Sequence, residues 1–114
     1  MDGLFGPIVV NGQPDPNAAE YNQEWTWMAS DWYNQSVAQL HTKYLSASNS
    51  NGYEPLPDAI IVNGVRDMQL RYTVNSTSKV RVRFINAAAL SQFNVSVDGM
   101  SLRVIELDGQ ARGP

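Results

Sequence analysis

At 114 residues, with 43% of them hydrophobic and 17% charged, the sequence has the size and composition of one ordinary folded domain rather than of a disordered chain. The net charge of -3 is mild and the eight basic residues are scattered, which excludes the basic stripe of a nucleic-acid binder or of an anionic-membrane anchor. Cysteine is absent, so disulfides, thiolate metal sites and a cysteine nucleophile are excluded as well, and no apolar run approaches the roughly 20 residues of a membrane-spanning helix.

Residues 4–10 (Leu-Phe-Gly-Pro-Ile-Val-Val) form a short apolar run closed by Asn11-Gly12, which predicts a buried strand. Pro7 places that strand at an edge or a bulge. Residues 13–22, carrying Pro14-Asp15-Pro16-Asn17, read as a linker. From 24 to 31 the pattern alternates: Trp25, Trp27 and Ala29 share one face, and Glu24, Thr26, Met28 and Ser30 the other, a strand. The period then changes. Trp32, Val37, Leu40 and Tyr44 approach helical spacing, which predicts about three helical turns ending near Leu45 with Asp31 as the N-cap.

Residues 46–57, rich in Ser and Asn, predict a surface loop. Everything beyond reads as β. An apolar strand over 59–62 closes on Asn63-Gly64. Met68, Leu70, Tyr72 and Val74 alternate with polar residues, as do Val80, Val82 and Phe84 with Arg81 and Arg83, and Phe93, Val95 and Val97 with Asn94 and Ser96. Asp98-Gly99 makes a turn, and a last strand over 102–107 meets Asp108-Gly109. Short strands so spaced predict an antiparallel sandwich or barrel.

Complete catalytic constellations are missing. His41 is the single histidine, placed mid-helix, where a solvated residue is the ordinary outcome. One imidazole without a thiolate builds neither a blue copper site nor a multinuclear copper centre. No Gly-x-Ser-x-Gly elbow and no glycine-rich phosphate loop occurs. Among the acids, Asp31 follows a strand beside Trp32, while Glu106 and Asp108 read as rim carboxylates at a turn. Trp25, Trp27 and Trp32 could make a sugar platform, but strand alternation assigns two of them to the core first. Three Asn-x-Ser/Thr sequons, at Asn34, Asn75 and Asn94, mark possible glycosylation sites and a secretory route. Met1-Asp2-Gly3-Leu4 lacks a basic n-region and an apolar h-region, so no signal peptide is expected in this chain, whose natural start would then lie upstream.

Several stretches, in this order, resemble the multicopper oxidases of the laccase, ascorbate oxidase and fungal-type ferroxidase group. Asp2-Gly3-Leu4-Phe5-Gly6-Pro7-Ile8-Val9 resembles the strand closing the family's first cupredoxin domain. Ser30-Asp31-Trp32-Tyr33 is similar to the signature at the second domain's strand-to-helix turn. The run from Glu54-Pro55-Leu56-Pro57 through Ile61-Val62-Asn63-Gly64 resembles the family's strand and turn ending in Leu/Ile-x-Asn-Gly. Arg83-Phe84-Ile85-Asn86-Ala87, Ser91-Gln92-Phe93 and Val104-Ile105-Glu106-Leu107-Asp108-Gly109 resemble the strands that follow.

The resemblance implies an all-β fold: a partial cupredoxin (plastocyanin-like) Greek-key β-sandwich with one short helix. It divides the chain into the last strand of one cupredoxin domain (1–12), a linker (13–23), the N-terminal part of the next domain (24–109) and a tail (110–114). It also implies a secreted parent oxidase that couples one-electron oxidation of ferrous iron, phenols or ascorbate-like reductants to reduction of dioxygen to water. Copper would be the parent's cofactor, held by segments outside this window, with none bound by this chain. The remaining cupredoxin domains would be its partners. By the same resemblance Asp31 is a substrate-facing position. Ferroxidases carry Glu there and laccases commonly Asp, so iron is not singled out. Ala88-Ala89-Leu90 stands where many fungal laccases have a Cys and a substrate-facing acid, and Met100 where the family often has His. Two other readings compete: a small secreted β-sandwich that binds carbohydrate through aromatics, and a copper-free relic with a structural role.

Overall fold

The structure is a computed structural model, and it describes residues 3–10, 14–66 and 70–112. Its centre is a four-stranded sheet in the order β3-β2-β1-β4, formed by β1 (Gln23–Trp32), β2 (Ala59–Val62), β3 (Val65–Arg66) and β4 (Val80–Asn86). A separate two-stranded ribbon pairs β5 (Glu106–Leu107) with β6 (Gln110–Ala111). One α-helix, α1 (Val37–Tyr44), is flanked by short 3-10 turns at Ala18–Glu20 and Ala47–Asn49. Mostly strands with a single helix, the chain is consistent with a partial cupredoxin-like β-sandwich.

The β1 alternation holds. Trp25 lies opposite Val82 and Trp27 opposite Phe84, so the large rings share one face. Glu24 and Thr26 lie opposite Arg81 and Arg83 on the other. The expectation of purely antiparallel pairing is corrected here: β1–β2 and β2–β3 run antiparallel, but β1–β4 is parallel. A parallel pair needs a long crossover, and residues 33–79, carrying α1, β2 and β3, supply it.

Asn63 and Gly64 join β2 to β3 in a two-residue loop with φ of +49° and +78°. Two successive positive φ values are the demand of a type I′ hairpin, which Asn-Gly meets with least strain. Asn63 also extends the sheet: its Oδ1 accepts from Met28 N–H (2.9 Å) and its Nδ2 donates to Thr26 O (2.8 Å). Asp108-Gly109 repeats the device between β5 and β6, with φ of +50° and +75°. Gly99 is likewise at positive φ in the expected turn.

Other expectations fail. Residues 4–10 form no strand, and Leu4 is 97% exposed. A strand exists only by pairing, and none of the described segments pairs with this one. Residues 70–74, 93–97 and 102–105 are also irregular despite their alternation, for the same reason. Asn11-Gly12 and Met68 fall outside the described residues. The interior is correspondingly thin. Among the described residues Val62 is the single buried hydrophobic side chain, at 7% exposure, whereas Asn17, Ser30, Asp31 and Arg81 are all buried.

Candidate functional site

Two polar clusters stand out, one toward each end of β1. The first gathers on Asp31, the penultimate residue of β1. The side chain is 8% exposed, and its carboxylate accepts from three consecutive backbone amides beyond β4: Ala89 (3.1 Å, Oδ1), Leu90 (2.9 Å, Oδ2) and Ser91 (3.4 Å, Oδ2). The Tyr33 hydroxyl also donates to Oδ2, at 3.5 Å. Burial pushes the Asp31 carboxyl upward, but the loop amides together outweigh it and hold the group below its ordinary value. Tyr33 is pushed up by burial and by the neighbouring Asp31 charge.

The expectation that Asp31 caps the helix is therefore corrected. The cap is Ser36, whose Oγ accepts from Gln39 N–H while the Gln39 side chain accepts from Ser36 N–H, a reciprocal capping box. Ser-x-x-Gln was legible in the sequence, and it starts the helix five residues later than Asp31 would. The helix is accordingly eight residues long, shorter than three turns.

The second cluster was not foreseen. Arg81 on β4, 7% exposed, ion-pairs with Asp15 of the segment before β1 and Glu106 of β5, and its guanidinium lies 5.4 Å from the centre of the Tyr21 ring. Tyr21 in turn donates its hydroxyl to Asp15 Oδ2 at 2.6 Å. That bond and the Asn17 amide hold the Asp15 carboxyl below its ordinary value. Glu106 is thus an ion-pair partner rather than a solvated rim carboxylate, and Asp108 is the first of the two positive-φ residues of the β5–β6 turn. No local pattern announces contacts between residues 66 positions apart. Charged residues in a proline-rich linker facing an arginine strand were the only available sign.

The tryptophans do not form an open platform. Trp25 and Trp27 stack with centroids 6.2 Å apart, Tyr72 covers Trp25 at 4.4 Å, and Phe84 meets Trp27 edge-on at 5.2 Å. Their ring faces are largely occupied by one another, and Trp32, at 41% exposure, stands apart from the stack. A surface hollow of about 280 Å³ between α1 and the loop after it is lined by Leu40, Tyr44, Asn49 and Tyr53, none of which touches Asp31. Asn34, Asn75 and Asn94 are all exposed.

The donor set does not fit the copper centres of an oxidase. His41 lies exposed on α1, cysteine is absent, and among the described residues no three His, Cys, Asp or Glu side chains converge as metal ligands. The described helices include none long and apolar enough to cross a membrane.

Comparison with known proteins places these features. The multicopper oxidase family profile matches residues 23–114. The iron transport multicopper oxidase fetC of Epichloe festucae is 33% identical over 108 residues, covering 95% of this chain and 17% of that protein. Laccase-4 of Thanatephorus cucumeris is 31% identical over 128 residues, covering 100% of this chain and 23% of its own. The iron transport multicopper oxidase FET3 of Gibberella zeae is 30% identical, over 95% of this chain and 17% of its own length. No solved structure matches. This chain spans about a fifth of the length of these relatives, and it belongs to the multicopper oxidase family.

Proposed function

We propose that the chain is a scaffold segment of a larger, secreted copper-dependent oxidase: the end of one cupredoxin domain, a linker and the first part of the next. The whole protein would take one electron from each of four reductant molecules, ferrous ions or phenols, and deliver four electrons with four protons to one dioxygen, giving two waters. In such enzymes the metals carry the redox chemistry and the protein holds and orients. No step of that chemistry is assigned to residues of this chain. The observation that carries the reading is the end-to-end match to iron transport oxidases and laccases at 30–33% identity, which spans only 17–23% of those proteins.

Within this reading Asp31 is the substrate-facing carboxylate. What supports it is a group kept ionised by the loop amides, with Oδ1 accepting a single amide and so retaining acceptor capacity for a cation or a hydroxyl donor. Copper and the remaining cupredoxin domains belong to the longer polypeptide, and Asn34, Asn75 and Asn94 are its glycan acceptors on this segment.

The test is to recover the native protein with an antibody raised against residues 46–57, and to measure its mass, copper content and oxygen uptake. A copper-bearing, oxygen-consuming polypeptide several times larger than 12.6 kDa is expected. A native 12.6 kDa species without larger forms would sink the reading. Expressed by itself, the 114-residue chain is expected to retain no stoichiometric copper after dialysis and to consume no oxygen.

A further inference from the structure

The loop after β4 reads Ala87-Ala88-Ala89-Leu90-Ser91, and four of its five side chains carry no polar atom. Its backbone amides must therefore find acceptors elsewhere. Ala87 N–H donates to Ala29 O (2.8 Å), continuing the β1–β4 ladder, and Ala88 N–H donates to Asn86 Oδ1 (2.8 Å). The remaining three, of Ala89, Leu90 and Ser91, all turn to the two oxygens of Asp31. Asn86 Nδ2 closes the loop by donating to Ser91 O at 3.0 Å. Successive amides directed at one point make a concave anion site, or nest. Here the anion is supplied by the same chain, from a residue whose place at the end of β1 is fixed by pairing with Ile60 of β2.

We propose that Asp31 is a positioning residue: its carboxylate is the resident anion of the nest formed by the amides of residues 89–91, and it sets the shape of the loop over residues 87–91. One carboxylate answers three of the loop's five donors, so the loop's conformation depends on this single side chain. Vacated, the nest offers its N–H donors to a small carboxylate such as formate. The inference rests on the oxidase reading only in placing this loop beside the substrate-facing edge. The nest itself stands on the hydrogen bonds.

Amide hydrogen exchange of the full chain, resolved by NMR at pH 7, tests it. In the wild type the Ala89 and Leu90 amides should exchange at least ~50-fold more slowly than exposed amides, and Asp31→Ala should remove most of that protection while the β1–β4 ladder keeps its own. Sodium formate should restore the protection in Asp31→Ala, and sodium chloride at equal ionic strength should not. Unprotected amides in the wild type, unchanged protection in Asp31→Ala, or no response to formate overturns the proposal.

Should Asp31→Ala fail to keep its ladder, Asp31→Asn and a pH series on the wild type decide. The titratable groups near the carboxylate are Tyr33, in contact with it, and Glu54 and Asp58, which act on Tyr33. Loop protection relative to the ladder should fall in the wild type as the pH drops below the carboxylate range and stay flat in Asp31→Asn. A flat wild-type profile overturns the proposal. None of these readouts involves copper or oxygen, so their failure is distinct from failure of the oxidase reading.

Discussion

Trp25, Trp27, Val82 and Phe84 lie on one face of the β1–β4 pair, and Glu24, Thr26, Arg81 and Arg83 on the other. Hydrophobicity alone would bury the first and solvate the second. The described residues depart from that at one pair of positions: Phe84 is 44% exposed, whereas Arg81 is buried against Asp15 and Glu106. The aromatic face has Tyr72 laid across it, while the arginine face has Asp15, Tyr21 and Glu106. Which face is covered depends on which neighbouring segments can reach it. The chain is also extended overall. The radius of gyration is 18.0 Å, against about 13 Å for a compact domain of this length.

The comparison can be broken most directly at Arg81. Arg81→Met removes the cation that two carboxylates share, with an expected loss of about 2–3 kcal/mol in urea unfolding. This lies below the full cost for a buried pair because Asp15 and Glu106 remain a quarter to a third exposed. Arg81→Lys should recover less than half of it, since an ammonium cannot reproduce the fork that reaches both partners. Trp27→Ala should cost less, about 1–2 kcal/mol, because a half-open face lacks the close packing behind the ~3–5 kcal/mol of a closed core. If Trp27→Ala proves the costlier variant in the isolated chain, the aromatic face is covered after all. In a longer polypeptide that closes the sandwich, the order should invert.

Ser36→Ala tests a region belonging to neither face. It should fray α1, seen as faster exchange at Leu40 and Leu45, with a local loss of about 1 kcal/mol and little change in the sheet. The smallest effect is expected from acid. Because Tyr21 and the Asn17 amide hold Asp15 below its ordinary value, the unfolded chain takes up that proton first. The contribution of Asp15 is therefore complete above about pH 4 and lost as the pH falls through the lowered value. Tyr21 resonances should report linker release in that window, and Asp15→Asn should abolish the dependence.

Much of the sheet was legible in the sequence. Alternation located β1 and β4, and Asn63-Gly64 and Asp108-Gly109 located two turns, because each signal is local: a period of two, or a pair of positive φ angles; the short return strands β3 and β6, the latter inside the expected tail, went unread. What escaped was non-local. The parallel sense of β1–β4 depends on how the crossover packs, and alternation is blind to direction. Residues 93–97 alternate as cleanly as β4 but lie irregular, since a pattern specifies a face and not a partner. Asp31 was read as a helix cap because a short acid between strand and helix fits that role, whereas its actual partners lie 58 to 60 residues away. The Arg81 cluster likewise joins segments that no window of neighbouring residues contains.

The parallel pairing of β1 with β4 also has a consequence for biosynthesis. Contact across that pair joins positions 57 apart in the chain, as the Asn22–Lys79 bond beside it illustrates. At about 5–20 residues per second, β1 leaves the ribosome some 3–11 seconds before its partner. Throughout that interval a strand carrying three tryptophans waits with at least one hydrogen-bonding edge unfilled. The order of emergence makes β1 the segment where a nascent chain of this kind most needs a chaperone.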